Sequence, residues 1–250
     1  MSDGFQPVYR TMEAELHDQP ASTRRRFVAS TAAAVAGAGI LGALPARALA
    51  THNDVQTILN VAASAEVLAT IVNTVGWQRG LGGDAVTQRN IAAAAQEELR
   101  HYDVLASLGG VPASTKIWIP NAVFASRSSL LETLVVGDQI FVNAYLIGVA
   151  CFARKAPAKL AAVPAEFMGA EAVHRALALQ SLGRLGNDRI FMRVEFTDIL
   201  EAVNQLKAAG FGFGETGTMP GRFFNFETVR KDTPTVAGVN TPNITPIDCH

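Results

Sequence analysis

The chain runs to 250 residues, room for one domain with flanking segments, and its 49% hydrophobic and 17% charged content supports a sizeable core. A net charge of −1 provides no basic surface of the kind that binds nucleic acid. Two cysteines, Cys151 and Cys249, exclude a disulfide framework and a zinc cluster; they either pair in an oxidising compartment or stand as a helix cysteine and a free tail cysteine.

The first fifty residues are set apart from the fold. Met1 to Ala21 is polar and without period, and is followed by Ser22-Thr23-Arg24-Arg25-Arg26-Phe27 and an apolar run from Val28 to Leu44. Pro45 to Ala50 ends on small residues at Ala48 and Ala50, which suits a signal peptidase cutting after Ala50. The segment resembles a twin-arginine signal, with Arg24 and Arg25 as the pair. The resemblance implies export of a folded chain to the periplasm, cell envelope or exterior, with the export machinery as a partner. An uncleaved anchor and a chance arginine cluster are the other readings.

Beyond Thr51 the helical period dominates and strand signals are nearly absent. The first helix is expected over about Asp54 to Val75, stopped at Gly76, and the second over about Asp84 to Leu108, stopped by Gly109-Gly110. The third is expected from Leu130 to Ala153, with Ser129 and Glu132 as a capping box. The fourth runs from Pro164 to Leu182, or from about Ala158 with a kink at Pro164, and a shorter fifth from Asp198 to Ala209. Short links make the first two helices antiparallel neighbours, and likewise the third and fourth. The long link from Gly109 to Ser129 can run the length of a bundle. Two hairpins with one long crossover describe an all-α, ferritin-like four-helix bundle over residues 51–210. Residues 211–250 read as an irregular tail whose phenylalanines pack back onto it.

Carboxylates stand where a core should be. Glu66 is the one charged residue between Val55 and Trp77, and Asp138 the one between Thr133 and Ala153. A lone carboxylate in such surroundings costs several kcal/mol unless something pairs with it. The second helix has a seam of Ile91, Ala94, Glu98, His101 and Leu105, and the fourth repeats it with Phe167, Glu171, His174 and Ala178. Each Glu-x-x-His presents both side chains on one face. Acid, then Glu-x-x-His, therefore occurs twice at nearly constant spacing, and carboxylates with imidazoles suit iron or manganese.

Glu66, Glu98-x-x-His101, Asp138 and Glu171-x-x-His174 resemble the ligand set of ferritin-like di-iron proteins. The leader, Asn143-Ala144-Tyr145-Leu146-Ile147-Gly148 and the aromatic tail are similar to exported bacterial ferritin-like proteins grouped with desiccation-related proteins. The resemblance implies two iron or manganese ions, with Glu98 and Glu171 bridging, His101 and His174 terminal, and Glu66 and Asp138 terminal or bridging. It implies oxidase or peroxide-linked chemistry for iron and catalase-like chemistry for manganese. The family's third-helix acid is usually Glu; Asp138 is one methylene shorter.

Several readings stay open beside this one. Glu66 and Asp138 can be held by hydrogen bonds or by the two histidines, without metal. Tyr145 is a core residue or a redox-active or supporting neighbour of the acids, and Asn143 and Gln139 support the site or lie on the helix surface. Glu97, off the seam, reads as a solvated charge; His52 and His250 read as exposed, and His17 precedes the cut. The first and third helices are apolar enough for membrane spans, against which the amphipathic second and fourth argue. The competing function is a structural, stress-protective bundle with a degenerate site, and a third is an envelope-binding module acting through the aromatic tail. A homo-oligomer is compatible with the bundle, which does not by itself imply a hollow shell.

Overall fold

The computed structural model describes residues 53–156, 158–192 and 194–242. The expected leader, with Arg24, Arg25 and His17, lies outside the described residues, as do His52, Cys249 and His250. The chain is mostly helical with one small sheet. Four long helices carry the core: α1 (Val55–Gln78), α2 (Ala85–Ser107), α3 (Arg127–Lys155) and α4 (Ala158–Ser181). A short α5 (Leu200–Ala208) follows. α1 packs on α2 and α3 on α4, and the two pairs meet through α1 against α3 and α2 against α4.

The helix starts follow from local chemistry. Asp54 caps α1 by accepting from the Thr57 amide at 3.0 Å, and Asp84 caps α2 by accepting from Thr87 at 2.9 Å. Gly80 and Gly83, both at positive φ, supply the turn between them. α1 continues through Gly76, the expected stop, to Gln78. α3 begins three residues before its expected start, because Ser126 rather than Ser129 caps it; the Ser126 hydroxyl accepts from the Ser129 amide at 3.1 Å. Pro164 lies inside α4 and faces Gly148 of α3, where a Cβ would come within 3.0 Å of the proline ring. α1 and α3 are long and apolar enough to cross a membrane, but 89% of the most apolar stretch of α1 is buried inside this fold. Its apolarity on all sides matches a helix covered on all sides.

The crossover is guided by α1 itself. Gln56, Asn60 and Ser64 stand at successive i, i+4 positions. The Gln56 amide donates to Gly109 O, Asn60 Oδ1 accepts from the Val111 amide, and Ser64 Oγ accepts from the Ala113 amide, each at 2.8 Å. The exposed Gln56 and the buried Asn60 and Ser64 thus satisfy a backbone that has no ladder of its own.

The near absence of strands needs correction. The crossover contains β1 (Lys116–Pro120), and the tail expected to be irregular contains β2 (Gly212–Phe213) and β3 (Gly221–Asn225), joined antiparallel in the order β2-β1-β3. Ile117 lies opposite both Phe213 and Phe224. A one-turn helix, α6 (Phe226–Val229), follows, and Phe211, Phe213 and Phe226 are buried in the core.

Candidate metal centre

All six acids and imidazoles singled out in the sequence converge inside the four long helices. Glu66 comes from α1, Glu98 and His101 from α2, Asp138 from α3, and Glu171 and His174 from α4; every one is buried. Their ligand atoms form two groups in which all members lie within 4.8 Å of one another. One group is Glu66, Glu98, His101 and Glu171; the other is Glu98, Asp138, Glu171 and His174. Glu98 and Glu171 belong to both. The one-methylene deficit of Asp138 does not keep its carboxylate out of the second group.

Both imidazoles turn Nδ1 inward. His101 Nδ1 lies 3.3 Å from Glu98 Oε2, 3.3 Å from Glu171 Oε1 and 3.5 Å from Glu66 Oε2. His174 Nδ1 lies 3.2 Å from Glu98 Oε1 and 3.7 Å from Glu171 Oε2. Each Nδ1 carries at most one hydrogen, so it cannot satisfy every oxygen around it. Eight buried atoms of the cluster make no hydrogen bond: Glu66 Oε2, both oxygens of Glu98 and of Glu171, Asp138 Oδ2, and the two Nδ1 atoms. An unpaired buried acceptor costs about 1–3 kcal/mol, and more when charged. A pair of divalent cations would satisfy these atoms together and neutralise four carboxylates. The donor set therefore fits metal ions that prefer oxygen and imidazole.

No protein-family model, curated protein or solved structure matches this chain. Burial lifts the Glu66 carboxyl to about 7, with the Glu98 charge adding to the rise and His101 opposing it. Burial and the neighbouring Glu171 charge hold Asp138 well above the usual carboxylate range. Burial pushes both histidines down, but the surrounding carboxylates prevail and hold them well above the ordinary imidazole value. Without a cation, the cluster thus retains protons.

Surrounding side chains orient the six. The Tyr145 hydroxyl donates to Glu66 Oε1, so Tyr145 is a neighbour of the acid as well as a core residue. Phe167 stacks on His101 at 4.1 Å and meets Tyr145 edge-on at 5.6 Å, locking the imidazole plane. Glu97 is not a solvated charge: its Oε2 lies 2.6 Å from His174 Nε2, and the side chain is 28% exposed. It sits one residue, or 100° of helix rotation, off the seam, which is where α2 meets α4. Asn143 is fully buried but serves the 182–199 segment, accepting from the Glu195 amide and donating to Phe196 O. Gln139 is half-buried, with an Oε1 that makes no hydrogen bond. Arg175, beside His174 and unnoticed in the sequence, is buried and grips Asp188 with both terminal nitrogens at 2.8 and 3.1 Å.

Proposed function

We propose that this chain is a ferritin-like bundle protein that binds two metal ions of the iron or manganese class at the cluster of Glu66, Glu98, His101, Asp138, Glu171 and His174. The observation that carries this reading is the sharing of Glu98 and Glu171 between two overlapping ligand groups, the arrangement a carboxylate-bridged pair requires. Such ions would supply redox chemistry with a small oxidant such as dioxygen or peroxide. The protein's own part is to bind and orient. Glu98 and Glu171 would bridge, the two Nδ1 atoms would donate, and Glu66 and Asp138 would complete one position each. Tyr145 and Glu97 hold Glu66 and His174 in place, and the apolar helices keep bulk water out. We also infer, from the sequence of the first fifty residues, that the chain is exported by the twin-arginine route.

The test is elemental analysis of the purified chain after loading with ferrous iron or manganese. The expected result is two ions per chain and a raised melting temperature, with Glu98→Gln and Glu171→Gln each weakening both positions. No retained metal and an unchanged melting temperature would instead favour a structural, stress-protective bundle. For export, replacing Arg24 and Arg25 by lysine should leave the chain in the cytoplasm on cell fractionation.

A further inference from the structure

The two ends of the bundle close over the cluster differently. One turn beyond the ligands toward one end, α2 places Leu105 after His101 and α4 places Phe167 before Glu171, both buried. The Phe167 ring stacks on His101 and meets Tyr145 edge-on, which plugs that end. Toward the other end the matching positions are alanines, Ala94 before Glu98 on α2 and Ala178 after His174 on α4. These alanines line a half-open hollow that reaches Asp138 and His174. Its rim is polar. Thr87 and Ser181, their hydroxyls 3.0 Å apart, stand where α2 begins and α4 ends, with the half-buried Asn90 beside them. Ser181 lies two helical turns, about 10 Å, from His174. His174 is 9% exposed, the most of the six ligands, against 3% for His101.

The depth of the hollow suits water. Asn73 of α1 lines it and is only 2% exposed. Its Nδ2 is committed to Ala69 O at 3.2 Å, while its Oδ1, like Asp138 Oδ2, has no hydrogen-bond partner among the described residues. The cavity volume is about 30 Å³. At roughly 10–15 Å³ each this takes about two or three waters, a short file rather than bulk solvent. Such waters have polar partners at both ends, the two free oxygens in the depth and Asn90 and Ser181 at the rim. Among the described residues the lining includes no lysine or arginine. Arg127, which reaches Thr87 at 3.4 Å, is paired with Asp84 at 3.1 Å. Amide and hydroxyl oxygens leading to a carboxylate suit a hard cation shedding its hydration, whereas an anion would be repelled at Asp138. We propose that this hollow is a water-filled passage by which divalent cations reach the Asp138–His174 position, while the Glu66–His101 position is closed to solvent behind Phe167 and Tyr145. The cation as cargo rests on the metal reading above; the passage itself does not.

Two measurements on the whole chain test this. The first, made after chelator treatment, is hydrogen–deuterium exchange at the imidazole C2 positions, read by mass spectrometry, which needs only water. His174 should exchange well ahead of His101, and Ser181→Leu, which fills the rim two turns away from the ligands, should slow His174 to the His101 rate. The second is uptake of cobalt(II), followed by stopped-flow absorbance. Asn90→Leu should slow uptake about tenfold, the worth of one oxygen contact, and Ser181→Leu should slow it further, with the number of ions at saturation unchanged in both. Asp138 also borders an apolar pocket between α1, α3 and α5, with Gly137 in its wall, where a Cβ would meet nothing within 4 Å. Gly137→Leu narrows that pocket and should leave uptake at the parent rate. The expected exchange pattern with no cobalt uptake would uphold the passage while the metal reading fails by itself. Equal exchange at the two histidines, or uptake that Ser181→Leu leaves at the parent rate or that Gly137→Leu slows instead, overturns the proposal.

Discussion

His174 presents Nδ1 to the cluster because Nε2 is engaged by Glu97. That contact sets both the tautomer and the ring orientation, and losing such a partner typically weakens a metal site 10- to 100-fold. Glu97→Leu should weaken one of the two ions by about that factor in a chelator competition titration, leaving the position built on Glu66 and His101 nearly unchanged. Glu97→Gln retains an acceptor for Nε2–H and should recover most of the loss. Asp138 permits a cleaner separation of ligand and structural roles. Burial and the Glu171 charge favour its protonated form when no cation is present, so Asn is a close imitation in the metal-free chain. Asp138→Asn should therefore stay within about 1 kcal/mol of the parent in urea unfolding, while the metal count falls from two to one. If the variant still holds two ions, Asp138 is not a ligand.

The helices were legible because a 3.6-residue period repeats several times within each, and the six cluster residues were legible because each interrupts an apolar face. Where one signal competes with an equally good one nearby, the sequence does not decide: Ser126 and Ser129 both make sound caps, and in the fold Ser126 is the one that accepts, from the Ser129 amide. The strands were not legible for another reason. β1 is five residues long and its partners lie about a hundred positions away, so neither period nor turn marks the pairing. Nor does the sequence mark the role of Glu97, since its partner, His174, belongs to another helix. The sheet's place in the fold carries a consequence for the tail. Phe226 is fully buried and edges against Tyr102 at 4.6 Å, anchoring the strand before it. Phe226→Ala should cost about 3–5 kcal/mol in urea unfolding. A stop after Gly210 removes both partners of β1 along with this anchor, so it should lower the melting temperature more than Phe226→Ala does. A tail that served only as a contact surface would be lost without that cost.

At the scale of the whole molecule the cluster makes stability depend on pH, with a sign that metal reverses. Glu66, Asp138, His101 and His174 all bind protons more tightly folded than free, the acids because of burial and the histidines because their carboxylate neighbours outweigh it. A group with a raised folded value contributes stability in full below its ordinary value, 4.5 for Glu66, 3.8 for Asp138 and 6.5 for the histidines. The contribution is lost as pH climbs through the folded value, because the unfolded chain then binds fewer protons than the native one. For Glu66 the window runs from 4.5 to about 7. For the other three it opens upward from the ordinary value. The metal-free chain should thus melt at progressively lower temperature between about pH 5 and pH 8. Metal ions bound at the cluster would take the places of those protons, so their affinity should rise as the ligands deprotonate and the stabilisation they confer should grow over the same interval. Calorimetric melts with chelator and with saturating manganese should therefore diverge as pH rises, the metal-free curve falling while the gap between the two widens. Parallel curves would mean that the groups releasing protons are not the groups receiving the ions, and the four carboxylates and two imidazoles would then have to be explained as a buried proton store rather than a metal centre.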